Sequence, residues 1–278
     1  MKHVFAPALI GASALLLSTS AAFAQTAATT PQALVTLTRL DCGTSAAPSD
    51  VGRFSDTYAM NGVKVQLVYS CYLIRHGDEY MVWDTGMPTG TAPTAPKTSL
   101  VDLLAQLKLT PAQIKYVGIS HYHGDHVGQV SAFPQSTLLI GKGDWDVLSD
   151  PKPNTMANPA PFAKWISGGG KVEAQVADKD VFGDGSVIML NMTGHTPGHH
   201  SLLVKLKEMG PVLISGDVTH FRENYESNGI PTFNTDRAAS LAALDRFKKI
   251  ATNLKATVII QHDPRDVSKL PAFPASAK

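Results

Sequence analysis

The chain has 278 residues, 44% of them hydrophobic, and a formal net charge of +1 from 24 Lys and Arg against 23 Asp and Glu. With no basic run and no acidic tail, it lacks the clustered cations of a nucleic-acid binder, and its length suits one domain with a substantial core. Its two cysteines exclude a disulfide framework, though not a single bridge.

Lys2 and His3 give a short positive start, residues 4–17 are almost wholly apolar, and Ala22-Phe23-Ala24 matches a cleavage signature. We read residues 1–24 as a signal peptide cut after Ala24 and residues 25–278 as a single domain, periplasmic or secreted. The apolar stretch is shorter than the roughly 20 residues of a membrane span. No later segment is longer, so no stable membrane insertion is expected after cleavage. Cys42 and Cys71 could pair in an oxidising compartment; the favoured reading is two small buried apolar residues on strands, neither catalytic.

Residues 63–74 and 80–83 read as a hairpin around a His-Gly-Asp turn. After a proline-rich loop, residues 99–107 have helical spacing, with Leu100, Leu103, Leu104 and Leu107 on one face. Residues 115–119 form a short buried-type strand that runs into a histidine cluster. Further strands are expected at 136–140, 181–190, 201–206, 211–214 and 256–260. A helix is expected over 236–251, capped by Thr235, with Leu241, Leu244, Phe247 and Ile250 inward. Trp145, Trp165 and the proline-rich residues 151–161 read equally as a substrate lid or as core and surface loop. The polar, histidine-bearing segments fall repeatedly at the ends of apolar strands, where open sheets flanked by helices place ligands.

The central signal is Ser120-His121-Tyr122-His123-Gly124-Asp125-His126. Alternate residues of an extended segment point the same way, so His121 and His123 can grip one ion. Beyond the Gly124 turn, Asp125 and His126 can face a second. Imidazole suits zinc, iron, nickel or copper, and carboxylate widens the choice to harder ions. Three more candidate segments follow strands: Gly194-His195-Thr196-Pro197-Gly198-His199-His200, Ser215-Gly216-Asp217 and Gln261-His262-Asp263. Together they supply the ligands that two open sites need.

In order and spacing, His-x-His-x-Asp-His, Gly-His-Thr-Pro-Gly-His, Gly-Asp and a late His resemble the metallo-β-lactamase superfamily, as does Trp83-Asp84-Thr85-Gly86. The resemblance implies an α/β fold, the four-layer αβ/βα sandwich of two mixed sheets flanked by helices, with metals at one edge. It implies two divalent metal ions, zinc foremost, with iron, cobalt or manganese as alternatives. His121, His123 and His195 would hold the first, Asp125, His126 and His262 the second, and Asp217 would bridge them. His199 and His200 read as supporting or core residues. A narrower likeness, to the N-acyl homoserine lactonases, rests on Leu40-Asp41-Cys42-Gly43, on the segment from Ser70 to His76, on Trp83 to Pro88, and on Glu223-Asn224-Tyr225-Glu226. Those enzymes carry a tyrosine three residues after the bridging Asp; here that position is His220.

The resemblance implies a hydrolase that opens a lactone ring, through a hydroxide bridging two metals that attacks the carbonyl. Asp125 would orient the hydroxide and shuttle a proton, and His220 would donate a hydrogen bond to the carbonyl oxygen. The expected partner is a small lactone or ester, with the protein a monomer or homodimer. Alternatives are a periplasmic β-lactamase, another ester, thioester or phosphotriester hydrolase, and a non-catalytic metal-binding module.

Overall fold

The computed structural model describes residues 1–4, 33–90, 93–153 and 156–278. The expected signal peptide, apart from residues 1–4, and its cut after Ala24 lie outside the described residues.

From Ala33 onward the elements are β1 (Val35–Thr44), β2 (Ser49–Asp50), β3 (Lys64–Val65), β4 (Val68–His76), β5 (Glu79–Trp83), α1 (Leu100–Gln106), β6 (Ile114–Gly118), α2 (Gly124–Val127), β7 (Thr137–Gly141), α3 (Lys142–Ser149), α4 (Ala163–Ile166), β8 (Val172–Gln175), β9 (Lys179–Asp180), β10 (Val187–Asn191), β11 (His200–Leu206), β12 (Gly210–Ile214), α5 (Arg222–Ser227), α6 (Arg237–Leu254) and β13 (Thr257–Ile259). One mixed sheet has the order β1-β4-β5-β6-β7-β8 and the other β13-β12-β11-β10-β9, with β2 and β3 forming a small ribbon. Strands β5 to β8 pair in parallel, as do β12 and β13, and the remaining pairs are antiparallel.

Alternation along the strands creates the layers. On β4, Tyr72 and Ile74 join Val204, Val212 and Ile214 between the sheets, whereas Cys71 and Leu73 face outward with Leu100, Leu103 and Leu104 of α1. On β11 and β12, Leu203 and Leu213 turn outward onto Leu244 and Phe247 of α6. Strands apolar on both faces read as continuous hydrophobic runs, and this is the expected four-layer αβ/βα sandwich.

Three expectations need correcting. Residues 181–190 are not one strand: the Asp180 carboxylate accepts hydrogen bonds from Gly183 N and Gly185 N, both glycines at positive φ, and this turn separates β9 from β10. The cap of α6 is Asp236, which accepts from Ala239 N at 2.9 Å, while the Thr235 hydroxyl donates to the His195 carbonyl. Cys42 and Cys71 are buried on strands, as expected, but they form a disulfide with a Cα separation of 5.9 Å. Antiparallel pairing sets Leu40 opposite Cys71, and a register shift after Asp41 leaves Cys42 within bonding reach.

Candidate metal centre

The histidine-bearing turns converge because β5, β6, β10, β12 and β13 all end on the same edge of the sandwich. Asp84, just past β5, ties them together from the left-handed conformation at φ 55. Its Oδ1 accepts from Ser120 N at 2.7 Å, and its Oδ2 accepts from the Ser120 hydroxyl and from Gln261 Nε2 and lies 2.8 Å from His126 Nδ1. A second buried carboxylate, Asp144 on α3, fastens the neighbouring turn. It accepts from Tyr122 N, the Thr196 hydroxyl and Gly198 N. At Gly194, φ is 136 and an added Cβ would lie 2.3 Å from Ser240 N, so only glycine lets this turn approach the start of α6.

The structure brings all seven expected ligands together in two groups, His121, His123, His195 and Asp217, and Asp125, His126 and His262; within each group the ligand atoms lie within 4.8 Å of one another. Both His121 Nε2, at 2.9 Å, and His195 Nε2, at 3.0 Å, face His123 Nδ1. His126 Nε2 and His262 Nε2 are 3.1 Å apart. Asp217 stands between the groups: Oδ1 is 2.9 Å from His262 Nε2 and 3.3 Å from His126 Nε2, while Oδ2 is 3.3 Å from His195 Nε2 and 3.6 Å from His121 Nε2. The Asp125 carboxylate is 3.6 Å from His262 Nε2.

This donor set fits cations. The outer nitrogens of the rings carry the hydrogens: His262 Nδ1 donates to Val68 O, His195 Nδ1 to Asn234 Oδ1, and His126 Nδ1 to Asp84. In a neutral imidazole the other nitrogen then holds a lone pair. Lone pairs therefore face one another and the Asp217 carboxylate, whose buried Oδ1 has no hydrogen-bond partner. Such convergence is repulsive without a positive charge at its centre.

The local electrostatics divide the two groups, the first keeping His121 and His123 neutral and the second drawing positive charge to His126 and His262. Burial, helped by His126, pushes His121 well below its ordinary pKa, and burial with the neighbouring His195 pushes His123 down to about 3. Both rings therefore stay neutral, the form that binds metal. Burial also opposes protonation of His126 and His262, but Asp217 with Asp84, and Asp217 with Asp125, outweigh it and raise both. Asp217 is held well below the carboxylate range by the imidazoles, His262 foremost, in spite of its burial. Burial lifts Asp144 to about 7, against the pull of its three donors.

His199 and His200 lie outside both groups. His199 Nδ1 donates to Met192 O and its Nε2 accepts from Asp217 N at 2.8 Å, so this buried ring fixes the position of Asp217 through the backbone. His200 Nδ1 donates to Gly198 O. His220 Nε2 is 3.0 Å from Asp217 Oδ2, and the ring rests on Phe54 with centroids 4.5 Å apart.

A cavity of about 340 Å³ opens over the centre, lined by Phe54, Leu67, Tyr69, Met156 and Phe233 together with the polar Ser49 and Arg53. Burial, with Asp125 and Asp217 adding, pushes the Tyr69 phenol up to about 12, so it stays a neutral donor. Trp165 is core, donating Nε1–H to Ser136 O, and Trp145 packs against the same core; Met156 is the cavity-lining residue of the proline-rich loop. Sequence reasoning missed Asp144, Asn234, Tyr69, Phe54 and Arg53. Asp144 and Asn234 have partners distant in sequence, 39 residues for Asn234 and His195, and Tyr69, Phe54 and Arg53 are marked only by the cavity they line.

A family model described as the metallo-β-lactamase superfamily matches residues 66–262. An N-acyl homoserine lactonase, AttM, of Rhizobium radiobacter is 29% identical over 192 residues, covering 62% of this chain and 68% of the relative. The structure of an N-acyl homoserine lactone hydrolase with the product N-hexanoyl-L-homoserine bound at its catalytic metal centre superposes with a TM-score of 0.72, at 22% identity, over 88% of this chain and 99% of that one. AidC, a dizinc quorum-quenching lactonase, superposes with a TM-score of 0.66, at 17% identity, over 88% and 90% of the two chains.

Proposed function

The chain belongs to the metallo-β-lactamase superfamily, and on that premise we propose that it is a hydrolase that opens the lactone ring of N-acyl homoserine lactones at a centre of two divalent metal ions, zinc foremost. The observation that carries this reading is Asp217, whose two carboxylate oxygens face two separate sets of imidazoles. The AttM relative and the product-bound hydrolase support the choice of substrate.

In this proposal His121, His123 and His195 hold one ion, Asp125, His126 and His262 hold the other, and Asp217 joins them. Bound divalent ions supply Lewis acidity, polarising a carbonyl and making hydroxide available near neutral pH. The chain's own groups do the rest. Asp125, its side chain 26% exposed at the cavity floor, has the access to accept a proton there and return it to the leaving alkoxide. The Nε2–H of His220 donates to Asp217 Oδ2 in the resting site. Passing that hydrogen bond to the substrate carbonyl oxygen would make His220 the donor expected from the sequence, with the Tyr69 hydroxyl as a second donor in the same cavity. Leu67, Met156 and Phe233 give the acyl chain an apolar wall.

We propose a periplasmic or secreted location. The Cys42–Cys71 bridge fits an oxidising compartment, and no helix among the described residues is long and apolar enough to cross a membrane. The testing experiment is a hydrolysis panel of acyl homoserine lactones, β-lactams, thioesters and phosphotriesters, with and without chelator and with metal analysis. Chelator-sensitive ring opening of the lactones, faster than turnover of the other classes, is the expected result. Another class turned over faster would replace the lactone assignment, and bound metal without hydrolysis would make the protein a binding module.

A further inference from the structure

We infer that the preferred lactone carries an anionic group on its side chain, recognised by Arg53 and Ser49 of the cavity lining; this rests on the lactone-opening reading above. The chain has seven arginines. Six have partners: Arg39 with Ser70, Arg75 with the Gly77 carbonyl, Arg222 with Asp266, Arg237 with Asp56, Arg246 with Asp178 and Arg265 with Glu223. Among the described residues Arg53 makes no hydrogen bond or ion pair, and it is the arginine that lines the cavity over the metal centre.

Its place is fixed by its neighbours. Arg53 sits in a short 3₁₀ turn, Val51–Phe54, whose two end residues are buried. Val51 N donates to Val63 O, and Phe54 packs on His220, so the turn is registered against the metal centre itself. The two acids nearest in sequence have other partners: the Asp50 carboxylate accepts from Gly52 N and Gly62 N, and Asp56 pairs with Arg237. Ser49 lines the same cavity, and among the described residues its hydroxyl also has no partner. The cavity's two carboxylates, Asp125 and Asp217, lie at the floor among imidazoles, so no fixed anion answers the guanidinium.

An arginine fork with a neighbouring hydroxyl matches the oxygens of a carboxylate or a phosphate. With the reacting carbonyl at the metal centre, a side chain crossing the apolar wall would bring its anionic end to Arg53.

The test uses three lactones on the metal-loaded protein, with the same acyl tail ending in a carboxylate, a phosphate monoester or a neutral methyl ester. The wild type is expected to favour an anionic tail by about fivefold in kcat/KM, mostly through KM, and the advantage should shrink as salt is raised. Arg53→Ala should bring the anionic-to-neutral ratio near one, Arg53→Lys should keep part of it, and Arg53→Glu should reverse it. Inhibition constants of the matching γ-lactams should follow the same order, which reads binding without turnover. The two anionic arms decide between carboxylate and phosphate. Equal handling of all three tails, or a preference that survives Arg53→Glu, overturns the inference and leaves lactone opening standing. Absence of metal-dependent opening of any lactone overturns the underlying reading instead.

Discussion

The two halves of the metal centre are held in place by different chemistry. In the half built from His121, His123 and His195, the rings are backed by neutral oxygens: the Ser120 hydroxyl behind His121 and the Asn234 amide behind His195, itself held by Ser240. In the half built from Asp125, His126 and His262, the buried Asp84 carboxylate stands behind His126, and Asp125 faces both imidazoles. Apart from the shared Asp217, the negative charge is concentrated in this second half. A carboxylate behind an imidazole raises its basicity as a ligand more than a neutral oxygen does, so the second half should bind its ion more tightly.

Three variants test that contrast. Asp217→Ala removes the element common to both halves, so activity should fall by at least about a hundredfold and bound metal should drop with it; full activity with stoichiometric metal would defeat the two-site model. Asp84→Asn strikes the second half directly at His126 and the first only at one remove, through the Ser120 hydroxyl behind His121. One of the two ions should weaken by about 10- to 100-fold in chelator competition while the other is retained, and equal weakening of both would show that the halves are not separable. Asn234→Ala strikes the opposite half through a neutral contact. Its effect should sit near the lower end, about tenfold, on the other ion; a loss larger than that of Asp84→Asn would reverse the ranking of the halves.

How far these features are legible in the sequence follows the range of the interactions that make them. The seven candidate ligands lie in compact turns after apolar strands, so residue type and position expose them. The strands β4, β11 and β12 read clearly because both of their faces are buried. The break between β9 and β10 was hidden by the apolar residues on either side, although Gly183 and Gly185 around Asp184 are the turn signal that could have found it. Asp144 and Asn234 act across long stretches of chain, and only the folded chain shows that Arg53 lines the cavity. The same holds for the cysteines, 29 residues apart in sequence, whose meeting depends on the register between β1 and β4.

The disulfide has a consequence for metal choice. Free thiolates are the soft ligands that capture copper(I) and compete for zinc, and among the described residues none remains. Bonded to each other and buried, Cys42 against Gly86, both sulfurs are withdrawn from coordination. The two candidate ion sites therefore offer nitrogen and oxygen donors alone. Reduction of the bridge would free two buried thiols and loosen the pairing of β1 with β4.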